Sequence, residues 1–155
     1  MKKISILFVC HGNICRSPMA EFMMKDMVSK AGLSGSVYVE SAATSREEIG
    51  NDMYPPARRK LTQERIPFER RSARQITPSD YDRFDYIILM EQYNYRNAMR
   101  IFGDDPEDKV KLLLDFAGSG RDIADPWYTG NFDRTYDDLV EGLTALLHYI
   151  EENDL

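Results

Sequence analysis

The sequence predicts an α/β fold: a small doubly wound parallel sheet of about four strands, helices on both faces, and a phosphate-binding loop after the first strand. Three observations lead there. Short apolar runs of strand length alternate with segments of helical period along the whole chain. The first run, Ile4-Ser5-Ile6-Leu7-Phe8-Val9, passes at once into a glycine-bearing loop and a helix start at Ser17-Pro18. The 155 residues, 43% of them hydrophobic and without repeat or low-complexity tract, suffice for one domain (residues 1–155) with a sizeable core.

The first strand ends at Val9, where the apolar run stops. Ser17 reads as an N-cap and Pro18 as the first helical residue, where a missing N–H costs nothing. That helix runs to about Ala31 with Ala20, Met23, Met24, Met27 and Ala31 on one face, and Gly32 stops it. Val37–Ser41 is the second strand, and Pro55–Arg65 is helical. Thr77-Pro78 opens a short helix. Asp85–Met90 is a strongly apolar strand, followed by a helix to about Phe102. Lys109–Leu114 is the last strand. Leu139, Leu143, Leu146 and Ile150 stripe a terminal helix from about Asp133, with His148 at its surface or rim.

Ligands bind such sheets at the carboxyl ends of the strands, where Cys10 falls. In Cys10-His11-Gly12-Asn13-Ile14-Cys15-Arg16-Ser17-Pro18, the loop brings backbone N–H groups and the positive end of a helix dipole to one concavity. A phosphate dianion fits there, and a cysteine beside a helix N-terminus and an arginine is set to act as a thiolate. Cys10 is the expected nucleophile. Arg16 would hold two phosphate oxygens through its planar fork, a geometry lysine lacks. Gly12 lets the backbone approach the anion, and Asn13 tolerates positive φ. Ser17 would offer its hydroxyl to the Cys10 sulfur, and Cys15 is a neighbour. Singly, each feature is a common structural device; in this order and setting they point to catalysis.

Composition narrows the rest. Two cysteines in one loop argue against a disulfide scaffold and for a reducing cytoplasm. The Lys2-Lys3 start precedes too short an apolar run for a signal peptide, and no run nears the ~20 residues needed to span a bilayer. Two cysteines and two histidines do not supply a zinc site, and His11 is too close to Cys10 in sequence to act as its base. A net charge of −6 argues against nucleic acid as the main partner. Residues 58–74 nevertheless hold seven basic and two acidic side chains, read first as a solvated face and second as a phosphoprotein-steering patch. By itself Asp125-Pro126 reads as a turn signal, and Trp127 and Tyr128 as loop aromatics packed on the body.

Val9-Cys10-x-Gly12-Asn13-x-Cys15-Arg16-Ser17-Pro18 resembles the signature of the low-molecular-weight protein tyrosine phosphatases. The likeness covers nearly the whole chain, through Glu40–Ser45, Glu48–Asn51, Ala73–Thr77, Phe84–Ile87 and Asp125–Tyr128. The resemblance implies that phosphotyrosine proteins and small aryl phosphates are hydrolysed through a phosphocysteine on Cys10, without metal or cofactor. It makes Asp125 the general acid, and Trp127 and Tyr128 the walls of a slot for a phenyl ring. His11, Gly12, Asn13, Ile14, Cys15 and Ser17 become phosphate- or substrate-binding positions, and Ser41 a hydrogen-bond support for Asn13. Inorganic phosphate and other oxyanions are expected as product-like ligands, and a monomer or weak dimer as the assembly.

The chain departs from the family pattern at several places. Glu91 stands where many members have Asp and is left outside the expected catalytic set. Glu47 replaces an aromatic at the pocket mouth, with Tyr54 a candidate substitute ring, and His11 replaces a small or aliphatic residue. Rival readings are an arsenate reductase, which needs relay cysteines this chain lacks, and a phosphoarginine phosphatase, whose members carry Thr at Ile14. A non-catalytic phosphotyrosine-binding module is the third, although binding requires neither Cys10 nor Asp125. Cys10 and Cys15 are expected to form a reversible protective disulfide on oxidation.

Overall fold

A computed structural model describes residues 3–155; Lys2 of the basic start lies outside the described residues. Four strands, β1 (Ile4–Cys10), β2 (Val37–Ala43), β3 (Tyr86–Leu89) and β4 (Val110–Leu112), form one parallel sheet in the order β2-β1-β3-β4. Parallel neighbours require crossovers. These carry α1 (Arg16–Lys30), α2 (Pro55–Gln63), the single-turn α3 (Asp80–Arg83) and α4 (Gln92–Phe102). A 3₁₀ turn (Leu113–Ala117), a one-turn α5 (Pro126–Thr129) and the long α6 (Phe132–Asn153) complete the chain.

β1 is central, and Ile6, Leu7, Phe8 and Val9 are all fully buried, as expected of a strand covered on both faces. Its alternation divides the core. Ile6 and Phe8 join Met19, Met23 and Met24 of α1 and Leu139, Leu143 and Ile150 of α6. Leu7 and Val9 join Tyr81, Phe84, Ala98 and Val110 on the opposite face. Burying each large apolar side chain contributes about 1.5–3 kcal/mol.

Several boundaries differ from expectation for local reasons. β1 continues through Cys10, which pairs with Ala43 at the end of a longer β2. α1 starts at Arg16 with Cys15 at the N-cap, so Ser17 lies inside the first turn and does not cap it. α2 stops at Gln63 because Arg65 turns left-handed, with φ 61°. The short helix begins at Asp80, whose carboxylate accepts from Thr77 N at 2.8 Å. β4 ends at Leu112, where the chain tightens into the 3₁₀ turn under α6. α6 starts at Phe132, capped by Asn131 accepting from Arg134 N at 3.0 Å. His148 lies exposed on it, bonded to Glu152 at 2.9 Å.

The basic segment does not form one free face. Lys60 is buried between Glu64 and Asp133, at 2.7 and 2.6 Å. Arg74 pairs with Asp80 and Glu40, Arg58 with Asp52, and Arg71 turns inward.

Gly142 marks a close helix contact. A Cβ there would lie 2.5 Å from Leu113 Cγ and 2.9 Å from its Cδ2, with Leu113 fully buried. Overpacking costs about 1–3 kcal/mol, against roughly 1 kcal/mol that alanine gains over glycine in a helix. Gly142→Ala is therefore predicted to lower the thermal midpoint. An unchanged or raised Tm would show that Leu113 can yield.

Candidate active site

The loop between β1 and α1 turns on Asn13, which is fully buried at φ 59°. Its N–H donates to Cys10 Sγ at 3.3 Å, and its side-chain amide donates to Ser17 Oγ at 2.8 Å and Ser41 Oγ at 3.0 Å. Its Oδ1 accepts from Arg71 Nη2 and from Arg74 N. Arginine and a backbone amide can only donate, so they fix which amide atom is the oxygen. Ser17 Oγ accepts from Asn13 and lies 3.0 Å from Cys10 Sγ, to which it donates when that sulfur is a thiolate. Ser41 in turn donates to Glu21 Oε1 at 2.6 Å.

The carbonyls of Cys10, His11 and Ile14 accept from Thr44, Ser45 and Tyr54 N–H groups. Among the described residues every peptide is trans, so the N–H groups of His11, Gly12 and Cys15 face away from those partners. That leaves donors for an anion at the start of α1.

Arg16 is only 2% exposed and is fixed from two sides. Nη1 donates to Ile123 O at 3.1 Å, and Nη2 to Glu91 Oε1 at 3.0 Å and Asp125 Oδ2 at 3.3 Å. Burial opposes its charge, but the negative groups of Cys10, Glu91 and Asp125 outweigh that and hold the guanidinium above its ordinary pKa. Asp125 also caps α5, its Oδ1 accepting from Trp127 N at 3.0 Å. Asp125-Pro126 thus forms a helix-capping turn, and the same carboxylate lies against Arg16.

Cys10, Arg16 and Asp125 line one cleft of about 230 Å³. That is below the ~300–1,000 Å³ of ordinary ligand pockets, so it accepts one small group. Gly12, Ile14, Cys15, Trp127 and Tyr128 also line it. Trp127 is 54% and Tyr128 85% exposed, so neither is packed down on the body. Tyr54 stands behind Trp127, ring centroids 4.8 Å apart, and supports that wall instead of lining the cleft. His11 Nε2 meets Glu47 Oε2 at 2.7 Å on the rim. Among the described residues, no three His, Cys, Asp or Glu side chains are grouped to hold a metal ion.

The model of the family described as low molecular weight phosphotyrosine protein phosphatase matches residues 5–154. The chain belongs to this family. It is 39% identical over 151 residues to the low molecular weight protein-tyrosine-phosphatase YfkJ of Bacillus subtilis, covering 96% of this chain and 97% of that one. The crystal structure of Bacillus subtilis YfkJ matches with a TM-score of 0.96 at 38% identity, over 100% of this chain and 99% of that one. A Drosophila arginine phosphatase structure matches with a TM-score of 0.85 at 29% identity, over 99% and 100%. The phosphatase is accordingly placed among the phosphoric monoester hydrolases. Among its described residues, no helix is long and apolar enough to cross a membrane.

Two groups in the phosphatase's site escaped the sequence reading. Arg71 was counted with the basic segment but is directed at Asn13; burial lowers its pKa below the ordinary arginine value, with Glu21 and Asp52 opposing. Nothing in its local sequence signals that contact. Glu91, left outside the expected catalytic set because many members have Asp there, reaches Arg16 Nη2 at 3.0 Å. Its position just beyond the apolar β3, at the carboxyl edge of the sheet, was the available signal.

Glu91→Ala is predicted to lower kcat/KM about tenfold and to weaken inhibition by inorganic phosphate, since charge-assisted hydrogen bonds contribute about 1.5–3 kcal/mol. Unaltered phosphate inhibition would show that Arg16 keeps its place without Glu91. Cys15 is buried, and burial followed by the nearby Cys10 charge pushes its pKa up to about 12. It therefore stays a neutral thiol from pH 7 to 9. Mass spectrometry after iodoacetamide treatment of the native protein at pH 8 is predicted to find Cys15 unmodified. Rapid labelling there would contradict the assignment.

Proposed function

We propose that the phosphatase hydrolyses phosphotyrosine and small aryl phosphates in two displacements at phosphorus. The observation that carries this reading is that Cys10 Sγ, the Arg16 guanidinium and the Asp125 carboxyl group, from a strand end, a helix start and a separate loop, line one cleft. Cys10 as thiolate attacks phosphorus and an S–P bond forms. The P–O bond to the aryl group breaks with its electron pair on oxygen, and Asp125 hands that oxygen a proton. Phenols ionise near pH 10, so unassisted phenolate is a poor leaving group. In the second step Asp125 takes a proton from water as the water oxygen attacks phosphorus. The S–P pair returns to sulfur, and phosphate leaves.

Arg16 and the loop amides hold the equatorial oxygens through both steps, a preorganised arrangement that stabilises charge as it is redistributed. Ser17 donates to Cys10 Sγ and so supports sulfur as the leaving group. Trp127 and Tyr128 flank the entry, which suits a flat ring and holds a short phosphoserine away from Cys10. Ile14 lines the same cleft with a side chain that offers no hydroxyl to a phosphoguanidine.

The test is kcat/KM on phosphotyrosine, phosphoserine and phosphoarginine peptides in the presence of chelator. Phosphotyrosine is expected to be strongly preferred, with turnover abolished by Cys10→Ser and reduced about 10²–10⁴-fold by Asp125→Asn. Preference for phosphoarginine would overturn the substrate assignment. Tight phosphotyrosine binding without turnover would make the chain a binding module.

A further inference from the structure

The loop that carries Asp125 is fastened to α6 at the residue immediately before it. Ala124 N donates to Asp138 Oδ2 at 3.1 Å, and Ala124 O accepts from Thr135 Oγ1 at 2.8 Å. Thr135 is fully buried and Asp138 is 7% exposed. They lie three residues apart on α6, one turn, and so face the same side. Both polar groups of one loop residue are therefore held by two buried side chains of a helix that contributes nothing else to the reaction. The carbonyl gripped by Thr135 belongs to the peptide plane that enters Asp125, so its orientation sets the direction of the Asp125 side chain. On the other side, Ile123 N donates to Met90 O at 2.9 Å, and Ile123 O accepts from Arg16.

Asp138 is itself held. Arg121, at the start of this loop, donates to Asp138 Oδ1 at 2.8 Å and to Glu141 Oε1 at 2.6 Å. The neighbouring inward positions of α6, Leu139 and Leu143, are apolar, as a helix packed on a core requires. Thr135 and Asp138 depart from that pattern only where the acid loop crosses.

We infer that Thr135 and Asp138 are positioning residues for proton transfer by Asp125, an inference that rests on reading Asp125 as the general acid. The clamp fixes the Asp125 carboxyl group against the phosphate held by Arg16, where a displacement of about 1 Å can cost two orders of magnitude. Such residues matter in proportion to how much the leaving oxygen needs a proton. A residue that merely stabilises the fold has no such dependence.

The experiment compares kcat/KM for phenyl phosphate, whose leaving group needs a proton, with that for a dinitrophenyl phosphate, whose leaving group departs without one. In the Thr135→Val/Asp138→Ala double variant, phenyl phosphate is expected to fall about tenfold or more, while the dinitrophenyl ester stays within about twofold. Thr135→Ser, which keeps the hydroxyl, should retain the wild-type ratio. Should the double variant fail to fold, Thr135→Val against Thr135→Ser makes the same comparison. Equal losses on both substrates, or no loss on either, overturn the inference. Asp125→Asn is run alongside. If it shows no leaving-group dependence, the general-acid reading itself fails; if it does and the clamp variants do not, only the clamp is refuted.

Discussion

Asn13 is the constraint from which the site hangs. A non-glycine residue at positive φ is held there only when its surroundings over-determine it, at a cost of about 1–3 kcal/mol. Here four partners on three separate segments do so: Ser17 in α1, Ser41 in β2, and Arg71 and the Arg74 amide in the chain that follows α2. The amide oxygen and both amide hydrogens are engaged in the interior, where an unmade hydrogen bond costs most. The strain at Asn13 is therefore supported from α1, β2 and the segment after α2. That support brings its N–H to the Cys10 sulfur.

Arg16 couples the loop to the other half of the site. A buried guanidinium is tolerable only if paired, and its pairs come from beyond β3 and from the loop before α5. Glu91 and Asp125 bond the same terminal nitrogen, Nη2, while Nη1 is fixed by the Ile123 carbonyl. The cation proposed to face the phosphate thus also gathers the Asp125 loop around it. The architecture makes this possible because β1 and β3 are neighbours, and their carboxyl ends open on the same edge.

The alternation of strands and helices and the apolar stripes were legible in the chain because they follow local periodicity. Parallel pairing with helices on both faces followed from it. Boundaries shifted where tertiary contacts replaced local signals. Ser17 and Pro18 have the form of a cap and first residue, but the Ser17 hydroxyl is taken up by Asn13 and Cys10. Within the site, the contiguous loop could be read from residue types alone. Asp125, Trp127, Tyr128 and Ser41 needed a family resemblance, because a separation of 28 residues from Asn13 to Ser41, or of 109 from Arg16 to Asp125, carries no geometry. Arg71 and Glu91 needed the structure. Charge counting placed Arg71 on a surface, whereas the reach of a long side chain turned it inward.

Trp127 and Tyr128 leave aromatic surface open to water. Tyr54 backs the indole from one side only. That uncovered area carries a hydration cost, which an aryl group seated between the two, as the proposed reaction has it, would remove. The association of an aryl phosphate should consequently have a negative heat-capacity change, whereas inorganic phosphate, meeting only the polar floor, should not. The same cleft would bind its two ligands with different temperature dependences, phosphate by charge and the aryl group by release of water.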